Sequence, residues 1–184
     1  MPDLRDIDIW DSFKKGDEWA LSYIYRRNCG ILYNYGLKFT SDYALIEDTI
    51  QELFSGMIRN RQNLGNTDNI LFYLLKSFKR NLLRRLQAKK RFEPSDSIEG
   101  NSFDVIWSVE QDIILEEFSQ EKTRILVLAL QELSPREKEA VYLRFYMEQD
   151  YNVIADIMEI SVESCRNLIC KAIKSLRKSL SGNG

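Results

Sequence analysis

The chain has no histidine, and only three cysteines, three prolines and eight glycines in 184 residues. Without histidine there is no Ser-His-Asp or Cys-His arrangement and no imidazole for a metal. Cys165 and Cys170 are five apart and would point to different faces of one helix, Cys29 is remote from both, and no metal-ligand spacing results. A glycine-rich phosphate loop is also missing, so the expectation is a protein without enzymatic activity, metal or cofactor. The longest apolar run covers residues 125–130, six residues against the roughly 18 a membrane helix needs. The opening Met-Pro-Asp-Leu-Arg-Asp has neither the basic nor the apolar region of a signal peptide, which predicts a cytoplasmic protein with no membrane insertion. Scarce glycine and proline, with no alternating valine-rich stretch, predict an all-α chain.

What is abundant is charge, and it is segregated. The net charge is only −2, yet residues 76–91 carry eight basic residues and no acid. Residues 93–121 carry nine acids and no basic residue, and residues 166–178 five basic residues and no acid. Screening confines each field to about 10 Å in ordinary salt, so local patches rather than the overall pI decide phosphate binding.

Apolar spacing divides the first half into helices over residues 4–14, 18–39, 43–60 and 70–91, with a polar loop over 61–69. Trp10, Trp19, Tyr23 and Phe39 are expected to pack in the core. Residues 92–101 shift to proline, glycine, serine and acids, and read as a linker. Phe103, Ile106 and Trp107 just beyond could dock on either side. Helix resumes over 113–132. Ser134-Pro135-Arg136-Glu137 then has the N-cap serine, first-turn proline and N3 glutamate of a capping box.

A short helix over 152–158, a turn over 159–161 and a third helix to about residue 178 complete a helix-turn-helix. The last helix sets Cys165, Leu168, Ile169, Ala172, Ile173 and Leu176 on one side, and Arg166, Asn167, Lys171, Lys174, Arg177 and Lys178 on the other. Such a basic face suits duplex DNA: arginine reads guanine, asparagine reads adenine, and flanking cations take phosphates. Ser161 and Ser164 at its start suit either a phosphate or a cap. The resulting division is residues 1–92, an acidic linker 93–111, and a helix-turn-helix domain 112–184.

Asp48-Thr49-Ile50-Gln51-Glu52-Leu53-Phe54 resembles the Asp-x-x-Gln-Glu-x-Phe signature of sigma factors. The stretches 73–81, 130–137 and 154–158 resemble later parts of the same family, in the same order. In its small two-domain form the chain resembles an extracytoplasmic-function sigma factor of the sigma-70 family. That resemblance implies a subunit that binds core RNA polymerase and directs promoter-specific initiation.

It implies that Asp48, Gln51, Glu52 and Phe54 dock on polymerase. It further implies that Arg61, Asn63, Asn66 and Asn69 in the loop, with Lys76, Lys79, Arg80, Arg84 and Arg85 on the next helix, meet the melted minus-ten element of promoter DNA. Ser164, Arg166, Asn167, Lys171, Lys174 and Arg177 would meet the minus-thirty-five element. An anti-sigma factor is the further partner implied. The family commonly has glycine where this chain has Glu159, so a left-handed backbone there would cost about 1 kcal/mol. The rival reading is a stand-alone helix-turn-helix regulator that binds duplex DNA without polymerase.

Overall fold

The structure is a computed structural model that describes residues 5–92, 103–104 and 120–181, the side chains of 90–92 and 120–124 excepted. Its described residues form helices and connecting turns, with no strand among them. The chain divides into two compact units, Met1–Asn101 and Ser102–Gly184. Among the described residues no helix is long and apolar enough to cross a membrane.

The first unit contains α1 (Asp6–Lys15), α2 (Glu18–Gly36), α3 (Tyr43–Asn60) and α4 (Ile70–Phe92), with a single 3-10 turn, Arg61–Asn63, after α3. Each boundary has a local cause. Gly16 ends α1 at φ 102°, a left-handed backbone that glycine adopts without a Cβ penalty. Its amide donates to the Phe13 carbonyl and that of Asp17 to the Ser12 carbonyl, so two orphan carbonyls are satisfied. Asp42 caps α3 by accepting from the Leu45 amide at 3.0 Å.

The expected helix over 18–39 stops at Gly36. A Cβ there would lie 2.9 Å from Ile46 Cγ2 and 3.0 Å from Phe78 Cζ, so only glycine lets α2 approach α3 and α4 so closely. Around that crossing Ile24, Leu32, Tyr35, Ile46, Leu74, Leu75, Phe78 and Leu82 are fully buried. Burial of each such side chain contributes about 1.5–3 kcal/mol before entropy is counted.

The second unit contains α5 (Gln120–Gln131), α6 (Pro135–Val141), a π-helical turn (Tyr142–Tyr146), α7 (Tyr151–Met158) and α8 (Val162–Ser181). The capping box forms as its sequence predicts: the Ser134 amide and hydroxyl both donate to Glu137 Oε2, at 2.9 and 2.7 Å, and the Glu137 amide donates back to Ser134 Oγ. Helix α8 packs its apolar face on α5, α6 and α7. Cys165, Ile169 and Ala172 are buried there, with Leu130, Leu133 and Val141 from the helices beneath.

Of the expected linker only Phe103 and Asp104 are among the described residues; Ile106, Trp107, the rest of 93–111 and the expected helix start at 113 lie outside them. Phe103 belongs to the second unit. It is buried, with its ring 5.7 Å from that of Tyr142, and Asp104 accepts from Lys138 Nζ at 2.7 Å. That contact explains how Lys138, a cation on an amphipathic helix, tolerates near-complete burial.

Candidate functional site

The loop between α3 and α4 is tied down by residues far away in sequence. Trp10 Nε1 donates to the Gly65 carbonyl at 2.8 Å, and Lys14 Nζ donates to Asn66 Oδ1 at 2.8 Å. Asn69 Oδ1 accepts from the Phe72 amide at 2.9 Å and so caps α4. The Ile70 amide, another first-turn orphan, donates to Asp6 Oδ2 at 2.8 Å. Arg61 lies over the end of α1, close enough that a Cβ on Gly16 would meet its guanidinium at 3.2 Å. There it faces the carbonyl end of the helix, where a cation is favoured.

Among the four loop residues named from sequence, then, Asn69 is a cap, Arg61 covers a helix end and Asn66 is held by Lys14. Asn63 is exposed, with no side-chain hydrogen bond among the described residues.

On α3, Asp48 and Gln51 are exposed. Glu52 is paired with Arg85 of α4, whose Nη2 lies 2.6 Å and Nε 3.0 Å from Glu52 Oε2. Two residues assigned from sequence to different partners therefore bind each other. Phe54 is only 5% exposed and packs edge-on against Tyr25, with ring centroids 4.9 Å apart. It forms the floor of an open groove whose walls include Leu21, Tyr25, Gln51 and Ile58.

The basic stretch of α4 is sorted by the fold. Arg85 and Lys89 turn to α3, Lys89 Nζ reaching Asp42 Oδ2 at 2.9 Å. That hydrogen bond, with the one from the Leu45 amide, holds the Asp42 carboxyl below its ordinary pKa. Lys76, Arg80 and Arg84 recur every fourth residue on an exposed line, and Lys76 Nζ lies over the Phe72 ring at 5.7 Å. Lys79 stands half-buried beside that line. The side chains of Lys90 and Arg91 lie outside the described residues.

In the second unit the turn after α7 keeps a left-handed backbone although it lacks the family's glycine. Glu159 sits at φ 53°, ψ 49°; its amide donates to the Asp156 carbonyl and that of Ile160 to the Ala155 carbonyl. A left-handed residue with a Cβ costs about 1 kcal/mol, and these two bonds offset it. Ala155 is buried, as suits a small residue at a helix crossing. Ser161 Oγ accepts from the Ser164 amide at 3.1 Å and donates to Ser164 Oγ at 2.8 Å, so both hydroxyls sit at the cap of α8.

Arg166, Asn167, Lys171, Lys174 and Arg177 are all exposed. Lys171 Nζ lies 3.2 Å from Glu137 Oε1. Burial alone would raise the Glu137 pKa, but hydrogen bonds from the Ser134 hydroxyl and amide, with the Lys171 ammonium, leave it below its ordinary value.

Two features escaped the sequence reading. Tyr151, the first residue of α7, has the Arg144 guanidinium 5.1 Å and the Arg166 guanidinium 5.8 Å from its ring centroid. It steadies the first arginine of α8 by cation–π attraction. The helix expected over 152–158 begins one residue earlier, at Tyr151, so no signal in the sequence pointed to that role. Trp19, expected in the core, is 47% exposed, and the Tyr23 expected beside it is only half-buried. Helix α2 carries apolar residues on nearly every side, interleaved with polar ones, so periodicity alone does not identify its buried side.

Comparison with known proteins bears on both units. Residues 24–92 match the family description "Sigma-70 region 2", and residues 129–178 match "Sigma-70, region 4". Among solved structures, CnrH in complex with the cytosolic domain of CnrY superposes with a TM-score of 0.61 at 14% identity, over 97% of this chain and 99% of that one. The sigma factor RpoE from Bartonella quintana, in complex with the anti-sigma factor NepR, superposes with a TM-score of 0.60 at 16% identity, over 87% of this chain and 96% of that one. Likeness at such identities speaks for the fold.

Proposed function

The chain belongs to the sigma-70 family, and on that premise we propose that it acts in the extracytoplasmic-function form, binding core RNA polymerase and directing promoter-specific initiation from the cytoplasm. The observation that carries this reading is the order of the two matched regions, region 2 on the first unit and region 4 on the second. The family is one of non-enzymatic transcription factors, and this chain's role is likewise recognition without chemistry of its own.

In this reading the first unit (residues 1–92) docks on polymerase through Asp48 and Gln51 and through the groove floored by Phe54. Acid and amide groups there suit a basic, arginine-bearing partner. Glu52 contributes less directly, since a new partner must compete with Arg85 for it. The line of Lys76, Arg80 and Arg84, with Lys79 beside it, neutralises phosphates near the minus-ten element, which makes binding strongly salt-dependent. Asn63 is the loop residue available to a base edge, while Arg61, Asn66 and Asn69 hold the loop in shape around it.

The second unit reads the minus-thirty-five element through Arg166 and Asn167. Lys174 and Arg177 set the register on phosphates, and Ser164 and Lys171 support them from the cap and from Glu137. The linker ahead of Phe103, residues 93–102, tethers the two readers, so that two weak contacts gain from effective concentration. RpoE, a structural neighbour, was solved with an anti-sigma factor, and this chain too is expected to have such a partner.

The test is co-elution with core polymerase on a sizing column. Wild type co-elutes, and Asp48→Ala with Gln51→Ala, both exposed and so harmless to folding, weakens the complex by about tenfold. A folded wild type that fails to co-elute, yet binds duplex DNA alone, would replace this reading with the stand-alone regulator.

A further inference from the structure

Helix α2 presents two grooves of opposite chemistry. On the α3 side lie Leu21, Tyr25, Phe54 and Ile58 with Glu18 and Gln51. On the other side an open groove is lined by Trp19, Ser22, Tyr23, Arg26 and Arg27. Glu18, the one acid in the sequence of α2, lines the first groove, whereas both of its cations, Arg26 and Arg27, line the second.

Nearly half of the Trp19 surface is in water, although the ring is large enough to be worth burying. Arg27 is pre-positioned over its neighbour: its guanidinium carbon lies 5.8 Å from the Tyr23 ring centroid and its Nη1 donates to the Tyr23 hydroxyl at 2.6 Å. Arg26 is exposed and has no ion pair among the described residues. One turn further on, a Cβ on Gly30 would meet nothing within 4 Å, so the face stays open along the helix.

Both Tyr23 and Arg27 also line a cavity of about 140 Å³ with Ile70 and Leu71, the first residues of α4. The aromatic face therefore adjoins the point where the loop over 61–69 ends. Asp6, the acid bordering that cavity, is engaged by the Ile70 amide.

We propose that the Trp19–Tyr23–Arg26–Arg27 face of α2 is a binding site for single-stranded nucleic acid, taking bases by stacking on the rings and phosphates on the guanidiniums. The inference rests on the initiation reading above and extends it, giving the melted strand a second foothold beyond the loop. Stacking needs an open base face, which a single strand offers and a duplex does not, and the paired positive charges match the backbone of either. An anionic membrane would also attract arginine and tryptophan, but would not draw on continuity with the loop.

The test is fluorescence anisotropy of a labelled twelve-residue oligothymidylate with the full chain, run alongside a duplex of equal length, anionic vesicles and polymerase co-elution. Trp19→Ala should weaken oligothymidylate binding about tenfold, the scale of one lost base–aromatic stack, while Trp19→Phe retains most of the affinity. Arg26→Ala with Arg27→Ala should lower the slope of log affinity against log salt by roughly 1.4, two phosphates' worth on a single strand.

The inference is overturned if wild type does not bind oligothymidylate, or if these variants bind it within twofold of wild type. It is equally overturned if Trp19→Ala weakens duplex as much as single strand, or if it abolishes vesicle binding or co-elution, since the face would then serve that other partner. A wild type that binds oligothymidylate through Trp19 but does not co-elute with polymerase supports the site while removing the initiation reading.

Discussion

The loop over 61–69, rich in amides, and the exposed face of α8, rich in cations, are both polar, and the fold treats them in opposite ways. In the loop the side chains are mostly committed to the protein itself: Asn69 caps α4, Asn66 holds Lys14 and Arg61 covers the end of α1. On α8 the side chains mostly face solvent, with Lys171 drawn to Glu137 and Arg166 to the Tyr151 ring. The cause is backbone accounting. Interior helix amides and carbonyls satisfy one another, so α8 leaves its side chains available to a ligand. A loop and a helix start have orphan groups, and nearby side chains are recruited to them first. A polar residue in a loop is thus weaker evidence of recognition than the same residue on a helix face.

The sharpest way to break the comparison is Trp10→Ala. Trp10 is fully buried and its indole donates to Gly65, so its loss should destabilise the first unit by about 3–5 kcal/mol in chemical denaturation. Duplex binding carried by α8 should survive at temperatures where the chain remains folded. If stability is unchanged, the loop is not held from α1.

Next in size is Arg166→Ala, which should cost about 1–3 kcal/mol of affinity for a preferred duplex and relax specificity at one base pair. Thermal stability should stay put, because the side chain is exposed. A fall in melting temperature instead of affinity would make the arginine a structural residue held by Tyr151.

The smallest effect separates two asparagines of one loop. Asn69→Ala should destabilise the first unit by about 1 kcal/mol through the lost cap, whereas Asn63→Ala should leave melting unchanged and reduce only promoter opening. Equal melting curves for the two variants would erase the distinction between them.

The ion pairs refine how the charged stretches are read. Eight cations in residues 76–91 look like one patch in sequence. In the fold, Arg85 and Lys89 turn to Glu52 and Asp42, and Lys76, Arg80 and Arg84 form the outward line. These pairs are half-exposed, with side-chain accessibilities of 31% and 40% for Arg85 and Glu52, so each stabilises by at most about 1 kcal/mol. Their larger consequence is to aim: they turn Arg85 and Lys89 toward α3 and away from the outward line.

Local signals determined much of this protein. Gly16, Asp42, Ser134 with Glu137, and the turn at Glu159 act through bonds between near neighbours in sequence, and the stripe of Cys165, Ile169 and Ala172 follows from the helical period alone. Those interactions close within a turn or two, so the order of residues specifies them. Most helices of the described residues and the outward face of α8 were legible for that reason, whereas the end of α2 at Gly36 was set by its crossing with α3 and α4.

Only the tertiary structure decided the rest. Asp6 meets Ile70 across 64 positions, Trp10 meets Gly65 across 55 and Lys89 meets Asp42 across 47. No period or spacing encodes such pairs. Trp19 faces water because α2 is apolar on more sides than its neighbours cover, and Phe103 left the linker for the second unit because Tyr142 offered it a buried ring. A sequence states which groups could bond; packing determines which of them have already found a partner, and so which remain for DNA and polymerase.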